Sequence, residues 1–285
     1  MKIIVLDTTE FKIDGGAYFG VIPKTIWSSK YPCDQDNMCK ASCRSLLIED
    51  GERIVLIDTG IGDKQSNNLV NSYHADFSQN LELNIQNAGF SNEDITDVVL
   101  THLHFDHCGG TTKLNNNSGK FELSFPNANH YISKKQWENA LNPNYREKSS
   151  YVKDNFEILK DSDKLILVTK TTKIGRSTEL RLFDGHTPGL MLPIIKSMKH
   201  TIFFTGDLIP AMASIPLAWV SAYDLFPLTS IEEKKSILSE ACENNWILVF
   251  QHDYYNECCD LKLTDKGVRA NKTFKLEELL ANENE

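Results

Sequence analysis

No apolar run in this 285-residue chain is clean enough to cross a bilayer. The nearest is Pro210 to Leu228, whose single formal charge is Asp224. Pro210, Pro216 and Pro227 interrupt it and serines are scattered through it, which argues against a spanning helix. Its bulky groups suit a pocket wall, a lid or a dimer surface instead. Basic clusters are missing too: 30 Lys and Arg face 39 Asp and Glu, for a net charge of −9. Pairs such as Lys134-Lys135 and Lys234-Lys235 are too short for a phosphate-binding footprint, so nucleic acid is set aside as a partner. With 15 Gly and 9 Pro the chain is neither low-complexity nor collagen-like, and no repeat period suggests a solenoid. The seven cysteines (Cys33, Cys39, Cys43, Cys108, Cys242, Cys258 and Cys259) are odd in number and lack the framework of a small secreted domain. Free thiols and a cytoplasmic address are expected. Cys33, Cys39 and Cys43 lack a paired Cys-x-x-Cys, which disfavours a zinc knot. Near the amino terminus, an apolar run of only four precedes Asp7, which reads as a first strand rather than a leader.

What remains is an enzyme-sized chain in which short apolar runs alternate with amphipathic stretches. Ser45–Glu49 and Ile54–Asp58 flank Asp50-Gly51 and predict a hairpin, since Asp-Gly supplies the positive φ of a tight turn. Further strands are expected at Val98–Thr101, His130–Ser133, Leu165–Thr169, Leu180–Phe183, Ile202–Thr205 and Ile247–Gln251. Leu81, Ile85 and Ala88 predict a helix ending at Gly89. Ser230 and Glu233 read as a capping box ahead of Ile237, Leu238 and Ala241. The polar loop Asn115–Gly119 is a surface turn, and no Pro-, Gly- or Ser-rich linker divides the chain. A mixed α/β layered fold in a single domain, 1–285, follows.

Directly after the strand at 98–101 comes His102-Leu103-His104-Phe105-Asp106-His107-Cys108-Gly109-Gly110. In an extended segment, side chains two apart share a face, so His102 and His104 can converge on one metal while the turn carries Asp106 and His107 to a neighbouring position. Chance gathering of surface or core histidines explains one such residue, not four donors in six positions. His186, Asp207 and His252 each follow an expected strand, where α/β scaffolds present functional groups. Taken singly, Asp207 is as well read as a turn residue and His252 as a packed one. His74, His130 and His200 fall outside the pattern and read as surface or packing residues.

With Ile57-Asp58-Thr59-Gly60, the His-x-His-x-Asp-His run, His186-Thr187-Pro188-Gly189, Asp207 and His252-Asp253 in this order, the chain resembles the metallo-β-lactamase-fold hydrolases over most of its length. The resemblance implies a four-layer αββα sandwich and a two-metal site. Carried over, His102, His104 and His186 hold the first metal, Asp106, His107 and His252 the second, and Asp207 bridges them. Imidazole and carboxylate donors suit zinc, but also iron, manganese or cobalt. Asp58 is placed to orient a ligand, with a plain turn-former as the alternative. Two such ions about 3.5–4 Å apart make hydroxide available near neutral pH, so hydrolysis follows, with Asp106 and Asp207 as the catalytic carboxylates and no Ser or Cys nucleophile. Cys108 reads as a packed thiol.

The donor set disfavours the zinc β-lactamases that place Cys at the position of Asp207, and the net charge disfavours the tRNA-processing members. Only 33 residues follow His252, short of the helical glutathione domain usual in glyoxalase II-like thioesterases. Asp14 to Lys24, with Trp27 beyond, looks like the amino-terminal loop of the quorum-quenching lactonase and organophosphate-hydrolase branch, and a merely packed loop is the equal alternative. Tyr18, Phe19, Trp219 and Tyr223 are the candidate pocket residues. The expected substrate is a small apolar ester. A lactone such as an acyl-homoserine lactone comes first, then a phosphotriester or aryl ester and a thioester. A homodimer is compatible with the apolar 210–228 stretch, and a non-catalytic zinc-binding scaffold is the reading outside enzymes. One departure stands out: lactonases of this branch place a carbonyl-binding Tyr three residues after the bridging Asp, where this chain has Pro210.

Overall fold

The computed structural model describes residues 1–281. They fall into two compact units: Met1–Phe11 with Cys43–Arg176, and Lys12–Ser42 with Ser177 onward. The strands Lys2–Asp14 and Met38–Asp50 run on from one unit into the other.

In the first unit, Arg53–Ile57, Asp97–Val99, Asn129–Ser133 and Leu165–Val168 are parallel neighbours. Parallel strands are covered on both faces, and the side chains of Leu56, Ile57, Val98, Val99 and Ile132 are fully buried. The expected hairpin forms: Met38–Asp50 pairs with Arg53–Ile57 through Asp50↔Arg53, with Gly51 at φ +69°. Because the register Ile57↔Val99 is parallel, Asp58 and the segment after Val99 leave the sheet at one edge. The core gathers Leu47, Leu56, Ile85, Val98, Leu100, Phe125, Trp137 and Phe156. The helix at Leu81–Asn87 is present, capped by Asn80, and the Asn115–Gly119 loop joins the paired strands Thr112–Asn115 and Lys120–Leu123.

In the second unit, Thr201–Phe204 and Ile247–Val249 are parallel through Phe204↔Val249, so Asp207 and His252 follow at the same sheet edge. The antiparallel register Ile194↔Phe203 brings the start of Leu190–Lys196 to that edge as well. Thr178–Phe183 pairs with it through Phe183↔Leu190, and the turn between them carries His186. Cys258–Thr264 and Gly267–Phe274 complete a hairpin whose alternation is too polar to be read from sequence.

The expected capping box is overturned. The helix begins a turn earlier, as Pro227–Glu243, because Pro227 at its first position has the fixed φ and missing N–H that a helix start favours. Ser230 is buried inside it, and Glu233 accepts the backbone N–H groups of Asp184 and Gly185 at 2.6 and 3.0 Å. Ile237, Leu238 and Ala241 pack with Phe203, Leu248 and Phe250. The Asp14–Lys24 stretch is two short helices, Gly15–Phe19 and Lys24–Trp27, the first capped by the Asp14 carboxylate. No helix among the described residues is long and apolar enough to cross a membrane, and no disulfide joins any of the seven cysteines.

Candidate metal centre

In the first unit the donors are held by their backs. Asp58, at φ +56°, accepts the Thr101 N–H on one carboxylate oxygen and the Thr101 hydroxyl on the other, both at 2.7 Å. Its Oδ2 also lies 3.0 Å from His107 Nδ1. An ionised carboxylate only accepts, so the His107 proton sits on Nδ1 and the lone pair is on Nε2. Asp58 thereby orients the His107 ring. Asp106 Oδ2 lies 3.6 Å from His107 Nε2.

His102 Nε2 and His104 Nδ1 face each other at 3.0 Å. The opposite nitrogen of His104 points to Glu147 Oε2 at 3.4 Å. Glu147, a buried carboxylate, is fixed by Asn139 and Asn144 amides at 2.7 and 2.9 Å and by the Tyr151 hydroxyl at 3.2 Å. Sequence reasoning missed Glu147, since a single Glu in a polar stretch 43 residues from its partner carries no local signal. The glycines after the motif matter sterically: a Cβ on Gly109 would lie 1.7 Å from the Ile61 carbonyl oxygen, so only Gly lets the 108–110 turn lie against the 59–61 loop. Cys108 donates to the Leu103 carbonyl, and burial raises its thiol far above the ordinary range, as befits a packed group rather than a nucleophile.

In the second unit His186, Asp207 and His252 meet. Asp207 Oδ2 lies 3.2 Å from His186 Nε2 and Oδ1 lies 2.9 Å from His252 Nε2. Both rings are oriented from behind, His186 Nδ1 by Asp224 at 3.0 Å and His252 Nδ1 by the Ser42 carbonyl at 2.8 Å. Those partners accept only, so each Nδ1 carries the proton and each Nε2 turns a lone pair toward the carboxylate. Two lone pairs against one anion repel unless positive charge lies among them, supplied by protons or by a cation. The donor chemistry therefore fits divalent transition ions. Asp224 was visible in sequence only as the lone charge of an apolar stretch.

Tyr18, Phe19 and Trp219 share one aromatic cluster with Trp27 and Tyr31. Phe19 stacks on Trp27 at 5.2 Å and meets Trp219 edge-on at 5.8 Å. Tyr18 is buried with Tyr31 as the neighbour of its hydroxyl but no hydrogen bond of good geometry, and burial, then the charges of Tyr31, Asp253 and Asp207, keep it protonated. Tyr223, on the same loop as Trp219, is exposed and outside that cluster. The Pro210 carbonyl accepts the His252 N–H at 3.1 Å.

Among curated proteins, the chain is 29% identical over 129 residues to the N-acyl homoserine lactonase AttM of Rhizobium radiobacter, covering 41% of this chain and 44% of that protein. It is 29% identical over 117 residues to the N-acyl homoserine lactonase AiiB of Agrobacterium fabrum, covering 38% and 42%. The matched segments thus span less than half the length of these relatives. Among solved structures it is similar to a probable metal-dependent hydrolase from Staphylococcus aureus, with a TM-score of 0.85 and 28% identity over 96% of this chain and 98% of that one. The dizinc quorum-quenching lactonase AidC shares the fold at a TM-score of 0.77 and 22% identity, over 96% and 95% of the two chains. The sequence profile of the metallo-beta-lactamase superfamily spans residues 41–252, from near the start of the Met38–Asp50 strand to the last histidine of the motif series, and the chain belongs to that superfamily.

Proposed function

We propose that the chain is a metal-dependent hydrolase of small apolar esters, with a lactone such as an acyl-homoserine lactone as substrate. His102, His104, Asp106 and His107, with His186, Asp207 and His252, supply the donors for two divalent cations, zinc first. The observation that carries the reading is Asp207, whose two oxygens face two imidazoles that already spend their Nδ1 protons elsewhere. When bound, the cations supply a hydroxide nucleophile near neutral pH and offset the negative charge that develops on the ester oxygen.

The chain's own residues do the rest. Asp58, Asp224 and Glu147 fix ring orientation and tautomer, so the donors need no reorganisation. Tyr18 keeps its proton and has a hydrogen bond to give, which makes it the candidate to bind the substrate carbonyl that Pro210 cannot. The aromatic surface of Phe19 and Trp219 supplies an apolar wall. The lactonases among the relatives support a lactone as the ester.

The test is elemental analysis of purified protein, followed by turnover of a panel of lactones, aryl esters, thioesters and phosphotriesters by metal-loaded protein. Two equivalents of transition metal and lactone turnover are expected. Metal-loaded protein inactive toward every lactone would sink the substrate proposal, and triester turnover alone would move it to the organophosphates.

A further inference from the structure

The helix Pro227–Glu243 buries a lysine. Lys234 is 1% exposed, in line with Ser230, Ile237, Leu238 and Ala241 on the covered face of the helix. Its ammonium donates to three backbone carbonyls of one upstream loop, those of Ser214 at 2.7 Å, Trp219 at 2.9 Å and Pro216 at 3.1 Å. That loop has little structure of its own: a short 3₁₀ turn at Met212–Ser214, then irregular backbone to Pro227. An ammonium has three protons and no acceptor, so three converging carbonyls use its whole donor capacity. Asp224, on the same loop, supplies the compensating charge. A buried ion pair is weak evidence for stability in itself, so three charge-assisted bonds converging on carbonyls of one loop point to a shaping role.

What the loop carries gives that shape a use. Trp219, whose carbonyl Lys234 holds, meets Phe19 edge-on in the cluster that includes Tyr18 and Ala211. The rim is stitched separately: Ala222 N–H and the Ser221 hydroxyl donate to the Ala17 carbonyl at 2.9 and 3.1 Å, and Leu225 N–H donates to the His186 carbonyl at 3.0 Å. Within the 214–219 turn, Trp219 N–H closes onto the Pro216 carbonyl at 2.9 Å, and Lys234 ties that carbonyl to those of Ser214 and Trp219.

We infer that Lys234 is a positioning residue for substrate selection: it fixes the 214–219 turn and with it Trp219, which sets how long an apolar arm the ester can carry. This rests on the ester-hydrolase reading for its substrate and on the loop geometry for its mechanism, and the two are tested apart. Lys234→Met keeps the stem and removes the charge and all three donors. Amide hydrogen exchange within 212–222 should quicken about tenfold or more in this variant, while the strands Thr201–Phe204 and Ile247–Val249 keep their protection. That readout needs no substrate, so it holds if the lactone proposal fails.

With a homologous ester series, KM for long-chain members should rise about tenfold relative to short-chain ones, with kcat for the short-chain ester moving less than about threefold. Trp219→Ala, with Lys234 intact, should reproduce the change in chain-length preference. Should Lys234→Met fail to fold, Lys234→Gln, which lacks the charge, is read in the same way. Unchanged exchange in 212–222, or a uniform loss of kcat at every chain length, overturns the inference.

Discussion

The two units carry donors of the same chemistry in opposite ways. In the first, four donors are packed into residues 102–107 behind a single strand, where Asp58 braces the segment through three contacts and Glu147 braces His104. In the second, His186, Asp207 and His252 arrive from three separate strand ends, and the two histidines are each braced by one group, Asp224 and the Ser42 carbonyl. A contiguous motif is rigid because its own turn is rigid. A dispersed one is only as well placed as the sheet register that aligns Phe204 with Val249.

The sharpest break of this comparison is Asp207→Ala. It removes the carboxylate between His186 and His252, and the activity should fall on the order of 10³-fold or more, with at least one equivalent of metal lost. Metal content and kcat/KM on the same preparation check it. A protein that keeps both metals and its activity would show that Asp207 does not serve as the bridge.

Replacing the braces asks whether the units differ in robustness. Asp58→Asn and Asp224→Asn should each cost about 10–100-fold in metal affinity, because an amide can present N–H to an imidazole Nδ1 and reverse its tautomer. Above the Lys234 pKa of about 7, where Asp224 has no ammonium to offset, only Asp58→Asn should also lower thermal stability, by about 1–3 kcal/mol, since it disturbs two fully buried contacts to Thr101. Competition with a metal chelator and a melting curve read the two effects separately. Equal stability in both variants would erase the distinction between a self-braced and a register-braced half.

The same contrast explains what could be read from the sequence. The 102–107 run was legible because its information is local: residue type, spacing and a preceding apolar strand. His186, Asp207 and His252 became legible only in the company of that run and by resemblance. Glu147 and Asp224 were not assigned, since a bracing carboxylate is defined by what lies 38 or 43 residues away. Central strands were visible as apolar runs, whereas the half-exposed hairpin Cys258–Thr264 and Gly267–Phe274 offered no such signal. The start of the 227–243 helix was missed because Ser230 and Glu233 satisfy a capping pattern locally while Pro227 had already begun the helix.

The units should also respond to pH in separate windows. In the first, burial lowers His130 to about 4. The unfolded chain binds the proton more tightly, so stability is lost as pH falls from about 6.5 toward 4, by up to about 3 kcal/mol. In the second, burial lowers Lys234 to about 7, with Asp224 opposing the fall, so the ammonium that holds all three loop carbonyls prevails below that pH. Here too the unfolded chain binds the extra proton, so stability rises between about 7 and 10.5 by on the order of 1–3 kcal/mol. Denaturant titrations across pH check both. His130→Leu should flatten the acid limb alone and Lys234→Met the alkaline limb alone, and a variant that flattens the other limb would show that these groups are not the source.

The smallest effect probes Tyr18, where the two readings of the amino-terminal segment part. A buried hydroxyl without a good partner carries a cost of about 1–3 kcal/mol, so if Tyr18 only packs, Tyr18→Phe should stabilise the protein and leave turnover alone. If it donates to the substrate carbonyl, the same change should lower kcat about 10-fold or more, with KM little altered, because the bond strengthens as charge develops on that oxygen. We expect both results together: a gain in stability and a loss in kcat. A site that keeps an unsatisfied donor for its substrate bears the cost whenever the substrate is absent, and removing the donor exposes both sides of that exchange in one variant. Stabilisation with unchanged kcat would return Tyr18 to the aromatic core and leave the carbonyl partner to be sought elsewhere, beginning with the exposed Tyr223.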